Sequence, residues 1–144
     1  MAEKISESEL KEKIVQELLE DHNITEMVKF NELNVQEKLE EVTFKIVKYR
    51  ELYYAEKMKL DELEDKFERL CGKRYDHYRF NFDKELTKVE IEKYYLPKDE
   101  IVVQMKRIVR RQEVKTRFFE VCYKGFEKMQ WSMKTFSENI RSGV

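Results

Sequence analysis

Apolar residues recur along most of this chain in steps of three and four. From Val35 the steps alternate strictly: Val35, Leu39, Val42, Ile46, Tyr49, Tyr53, Glu56, Leu60, Leu63, Phe67 and Leu70. This spacing is a heptad seam on one helix face, with a single charged member at Glu56. It predicts a helix from Val35 to Leu70. A second seam runs Ile101, Met105, Ile108, Gln112, Lys115, Phe119, Cys122, Phe126, Met129, Met133, Phe136 and Ile140, interrupted at Gln112 and Lys115. Gly125 lies inside that pattern, where it costs about 1 kcal/mol relative to alanine; a close neighbour would explain it.

Shorter elements surround the seams. Ser6 and Glu9 have capping-box spacing ahead of Leu10, Ile14, Val15, Leu18 and Leu19, so a short helix is expected there, ending near "DHNIT". Residues 22–34 are the least regular stretch and read as a linker. Thr87 and Glu90 repeat the capping-box spacing at "TKVEIEKYYL", a short helix that Pro97 stops. Pro97 and Asp99 suit the opening of the last helix, by first-turn and cap preference respectively.

The expected fold is all-α. It has a long antiparallel coiled-coil-like helical pair, short accessory helices and a homo-oligomeric assembly. Residues 1–34 form an acidic N-terminal helix and linker, and 35–144 a helical, oligomerising domain. If Leu70 faces Ile101, then Glu56 faces Lys115 and the two charged interruptions meet. Strict steps of four and three also suit association between chains. One pair of helices leaves Tyr54, Met58, Val102, Val109, Phe118 and Val121 over. Phe119, Phe126, Met129, Met133, Phe136 and Ile140 are the expected oligomerisation face. The alternative is a monomeric bundle closed by the short helices.

Composition supports the helical reading. Charged residues make up 41% of 144, with three glycines and one proline, which suits long helices rather than sheets or loops. The net charge of -1 hides a gradient. Residues 1–26 carry eight acids against three bases, while 72–144 carry seventeen bases against eleven acids. A polyanion partner is therefore sought in the second half. The acidic N-terminus is a contact for a protein partner or a like-charge guard; both readings stand. Cys71 and Cys122 make no disulfide framework. No signal peptide and no membrane-crossing apolar run is recognised, so the expected location is a reducing cytoplasm.

Enzyme constellations are poor. His22, His77 and the two cysteines lack metal-ligand spacing, and no Gly-rich phosphate loop or nucleophile turn exists. Neither a catalytic residue, a metal nor a cofactor is expected. Two basic clusters remain. "KRIVRRQEVKTR" at 106–117 puts Lys106 with Arg110, and Arg107 with Arg111, on shared helix faces. They suit a phosphate-tracking stripe, or they pair with Asp61, Glu62, Glu64 and Asp65. "CGKRYDHYRF" at 71–80 interleaves Lys73, Arg74 and Arg79 with Tyr75, His77, Tyr78 and Phe80. The next seam position after Leu70 is Arg74, so the regular core is expected to end near Gly72. Beyond it the rings stack on bases while the cations follow phosphates, or the rings cap the bundle as ordinary core.

From "YRELYYAEKMKLDELEDKF" onward the chain resembles UvsY, the recombination mediator family of large tailed phages, over roughly residues 45–143. "GKRYDHYRFNFDKELTKVEIEKYY" is similar to the middle of that family and "FEKMQWSMKTFSENIRSG" to its ending. The family's DNA-binding motif reads K-A-R-L-D-Y-Y. Arg74, Asp76 and Tyr78 match its Arg, Asp and last Tyr. Its Lys falls on Gly72, beside Lys73, and its first Tyr on His77. The resemblance implies a ring-like homo-oligomer that binds single-stranded DNA. Such a protein helps a RecA-like recombinase displace the single-strand-binding protein and catalyses no covalent reaction. It also implies the host cell cytoplasm, if the chain is phage-encoded. The DNA-binding candidates are Lys73, Arg74, Tyr75, His77, Tyr78 and Arg79, then Lys106, Arg107, Arg110 and Arg111. The alternative is a scaffolding coiled coil without nucleic-acid binding.

Overall fold

A computed structural model describes residues 6–22, 31 and 33–143. Most of the expected linker, 23–30 and 32, lies outside the described residues. Helix α1 spans Glu7–His22, α2 Val35–Phe80, α3 Lys88–Glu90 and α4 Glu100–Arg141, with no strand among the described residues. Between α3 and α4 the chain makes a π turn, Ile91–Tyr95, and a 3-10 turn, Leu96–Lys98. The long helices α2 and α4 form a packed pair and contribute to two compact units. The first is Met1–Glu56 with Val114–Val144; the second is Lys57–Glu113.

Both capping boxes form. Glu9 N–H donates to Ser6 Oγ and Ser6 N–H to Glu9 Oε2, each at 3.2 Å. Glu90 N–H donates to Thr87 Oγ1 at 3.2 Å. These bonds satisfy amides that a helix start leaves without intrahelical partners. Asp99 is the cap of α4, its Oδ1 accepting from Val102 N–H at 3.1 Å. Pro97 falls in the preceding 3-10 turn rather than in α4 itself.

The first unit holds the main core. Val35, Val42, Ile46 and Tyr49 of α2 pack with Phe118, Phe119, Phe126 and Met133 of α4, and Val15, Leu18 and Leu19 of α1 lie against them. Full burial of such side chains stabilises by about 1.5–3 kcal/mol each. The pair is antiparallel: Gln36 bonds Ser137, Thr43 bonds Gln130 and Arg50 pairs with Glu127. Lys115 Nζ lies 3.4 Å from Glu56 Oε1, so the two charged interruptions do meet. In the second unit Leu60, Leu86, Ile91, Val102 and Val109 are buried.

Three expectations change. First, α2 does not end at Leu70, nor does its packing stop near Gly72: the helix runs ten residues past Leu70, through Gly72 to Phe80. The charge at Arg74 is matched by Asp99 rather than ending the packing.

Second, the first half of α4 is turned by about one residue from the expected seam, which holds from Phe119 to Phe136. Val102, Val109 and Thr116 are buried, whereas Ile101 and Ile108 are about half exposed at 48% and 51%. Both flanks of α4 are apolar, so spacing alone does not say which faces α2.

Third, the residues assigned to self-association are largely used inside one chain. Phe119, Phe126 and Met133 are buried, Met129 and Phe136 pack on that core, and Ile140 is exposed. Gly125 has no close neighbour: a Cβ there would meet nothing within 4 Å.

Candidate nucleic-acid interface

All ten candidate DNA-binding residues belong to the second unit. Those on the last turns of α2 are mostly engaged within the chain. Arg74 Nε donates to Asp99 Oδ2 at 2.9 Å, and Tyr78 Oη donates to the same oxygen at 2.6 Å. The Arg74 guanidinium also sits 5.6 Å from the centre of the Tyr78 ring. Asp99 is buried, at 5% exposure, yet its pKa is lowered. Burial alone would raise it; the bonds from Tyr78, the Val102 amide and Arg74 outweigh that and hold it ionised. One carboxylate thus caps α4 and ties it to α2.

The rings follow the same logic. His77, Tyr78, Phe82 and Tyr95 form an edge-to-face cluster with centroid separations of 5.2–6.2 Å. Such contacts are worth about 0.5–1.5 kcal/mol beyond burial. Arg79 keeps an exposed side chain, but its Nη1 donates to the Leu86 carbonyl at 2.8 Å and anchors the loop before α3. Tyr75 is half-buried. Lys73 is exposed and has no ion-pair partner among the described residues.

The α4 cluster is different. Lys106, Arg107 and Arg111 are exposed and make no ion pair with any described residue. Arg110 is half-buried. Lys106 lies within electrostatic reach of the Cys71 thiol, whose pKa is raised by burial and by Asp99 and pulled back by Lys106. Asp61 pairs with Lys57 on its own helix, at 4.0 Å. None of these three cations is within ion-pair distance of Asp61, Glu62, Glu64 or Asp65.

Two features escaped the sequence reading. Asp99 was legible only as a cap, because a partner 25 residues away carries no local signal. Tyr95 joins Tyr78 and Phe82, so part of the ring segment does pack as ordinary core. Phe80 and Tyr94, at 75% and 61% exposure, are the second unit's most exposed rings. Among the described residues no group of His, Cys, Asp and Glu is placed to hold a metal ion, and no helix is long and apolar enough to cross a membrane. Comparisons with protein-family models, curated proteins and solved structures find no match.

Proposed function

We propose that the chain binds single-stranded DNA as a homo-oligomer. In this reading it is a UvsY-like recombination mediator that helps load a RecA-like recombinase onto strands covered by single-strand-binding protein. The observation that carries the reading is the trio Lys106, Arg107 and Arg111 on α4, exposed and without ion pairs among the described residues. Cations held out in water gain little for the fold. They suit phosphates, whose bound counterions they release. Lys73 is the remaining open cation of the motif segment. Repetition around an assembly would multiply weak sites through effective concentration.

Binding of a labelled oligonucleotide at two salt concentrations tests this. The affinity should fall steeply with salt. The triple variant Lys106→Ala, Arg107→Ala, Arg111→Ala should flatten the log–log slope by about 2, at roughly 0.7 per lost phosphate contact on a single strand. The mediator step is tested by adding the protein to recombinase and a strand coated with single-strand-binding protein, and following filament assembly.

A second reading has its own observation. Arg74, Tyr78 and Arg79 are engaged in holding the fold. That favours a scaffolding coiled coil. Binding undetectable at low salt would decide for it.

A further inference from the structure

Helix α1 lies on the main core by a narrow stripe. Among its described residues Ile14 alone is buried, and Val15, Leu18 and Leu19 pack partly against the core. The helix ends on a polar residue, His22. That ring stands among three others, with centroids 5.4 Å from Tyr49 of α2 and 6.2 and 5.2 Å from Phe118 and Phe119 of α4. Its Nδ1 shares a hydrogen bond with Tyr49 Oη at 3.0 Å. One imidazole therefore holds the end of α1 to both long helices.

The charges facing this ring are mostly of one sign. Lys45 and Lys48 approach from α2 and Lys115 from α4, while Asp21 of α1 opposes them. Lys115 is paired with Glu56 at 3.4 Å, which weakens its push. Lys45 and Lys48 have no ion pair among the described residues. Tyr49 keeps its proton, because burial pushes its pKa up to about 12. A second proton on His22 thus meets three cations against one carboxylate, in a half-buried site. The His22 pKa is lowered accordingly, by burial first and by Lys48 next. The neutral ring suits the docked helix and the imidazolium suits water.

What lies beside the latch is apolar. Val15 and Leu19 form one wall of a groove that Phe118, Cys122, Phe126 and Met129 complete. The Cys122 thiol is half-buried there, and burial pushes its pKa up to about 11.

We propose that His22 is an acid-sensitive latch, whose protonation releases α1 from the α2–α4 pair and opens the groove that holds Cys122. Exposure of an apolar face of α4 is thereby tied to proton concentration. The long helices stay paired, because the ties between them, Gln36 to Ser137 and Arg50 to Glu127, contain no histidine. The device does not depend on nucleic-acid binding.

Cys122 reports the release. With Cys71→Ala it is the sole thiol of the full-length chain. Its labelling by dithiodipyridine is followed from pH 7.5 to 5 and divided, at each pH, by that of His22→Phe in the same background. The division cancels the thiol's own ionisation. The ratio should stay flat above about pH 6.5 and rise below it, by no more than about tenfold per pH unit, the limit for one proton. Lys48→Ala should shrink the rise, and it serves alone if circular dichroism shows that His22→Phe fails to fold. The control keeps Cys71 and carries Cys122→Ala. Cys71 belongs to the second unit and should label alike with and without His22. A flat ratio at Cys122 down to pH 5, or a rise that Lys48→Ala leaves unchanged, overturns the latch. So does a His22-dependent rise at Cys71, which would mean that acid opens the whole chain rather than α1.

Discussion

The two units use the same two helices and are held together differently. Among the described residues the first buries nine apolar side chains, Tyr49, Phe119, Phe126 and Met133 among them, and α1 supplies a third layer. The second buries five, and at its centre stands a carboxylate, Asp99, bonded to Arg74, Tyr78 and the Val102 amide. Area burial is non-directional and tolerant of small shifts. A buried, multiply bonded carboxylate fixes one geometry, and loss of a partner is severe. The first unit therefore gains its stability from area. The second gains a defined geometry from one polar group.

The contrast breaks hardest at Phe126 and Asp99. Phe126→Ala should destabilise by about 3–5 kcal/mol through lost transfer energy and a cavity. Asp99→Ala should cost about 3 kcal/mol. Arg74 keeps some access to water, which limits the loss, but the α4 cap goes as well. Asp99→Asn should cost less, because an amide oxygen still caps. Urea melts give the sizes and hydrogen exchange gives the place. Phe126→Ala should open amides of 35–56 and 114–140 first, and Asp99→Ala those of 57–113. Identical exchange patterns in both variants would mean a single cooperative block.

A milder effect comes from pH, through a histidine packed in the first unit. His22, at the end of α1, shares a hydrogen bond between its Nδ1 and Tyr49 Oη at 3.0 Å and sits edge-on to Tyr49 and Phe119. Tyr49 is pushed up to about 12 by burial, so the phenol keeps its proton. The His22 pKa is lowered, by burial first, then by Lys48, with Lys115 and Lys45 adding and Asp21 opposing. The native state therefore disfavours the proton that the unfolded chain accepts near 6.5. Docking of α1 should be fully stable above about pH 6.5 and weaken as pH falls from there towards the lowered value. His22→Phe should remove that dependence, as read by exchange in α1 and in Phe118–Phe119 between pH 7.5 and 5. Equal slopes with and without His22 would exclude it as the titrating group.

Glu56 and Lys115 sharpen the comparison on a smaller scale. Both were legible as the charged interruptions of two seams, and the antiparallel register that joins them is the one observed. Lys115 is 42% exposed on its side chain, so a double-mutant cycle with Glu56→Ala and Lys115→Ala should give a coupling of only about 1 kcal/mol. A null coupling would mean that Thr116 Oγ1, which donates to the Glu56 carbonyl at 3.3 Å, sets the register without help from the charges.

The same pair shows what a one-dimensional pattern can carry. Along α2 every seam position from Val35 to Leu70 is at least half-buried, because the positions on both sides of the seam are mostly polar. Along α4 the choice between Ile101 and Val102, or Ile108 and Val109, depends on which neighbour covers which side. That information resides in α1 and α2. Ring placement was equally illegible. Tyr78 and Trp131 look alike as aromatic residues among cations, and only the fold distinguishes the packed ring from the open one.

The smallest effects test whether either unit needs its mid-helix glycine. Gly72 lies in the second unit and Gly125 in the first, both inside long α-helices, and a Cβ at either meets nothing within 4 Å. Neither position has the positive φ that would favour glycine. Alanine narrows the unfolded ensemble and has the better helix propensity, so each substitution should stabilise by up to about 1 kcal/mol. The gain should be equal in the two units if propensity alone decides. At Gly125 the new methyl would also enter an apolar groove lined by Val15, Leu19, Val121 and Met129, where it covers surface that Gly72→Ala does not. Gly125→Ala should therefore exceed Gly72→Ala by a few tenths of a kcal/mol, measured as midpoint shifts in urea at constant m. The reverse order would mean that the groove closes on something bulkier than a methyl. A loss of stability at Gly72 would mean that the helix through "CGKRY" bends in solution, where an unbranched backbone position is needed.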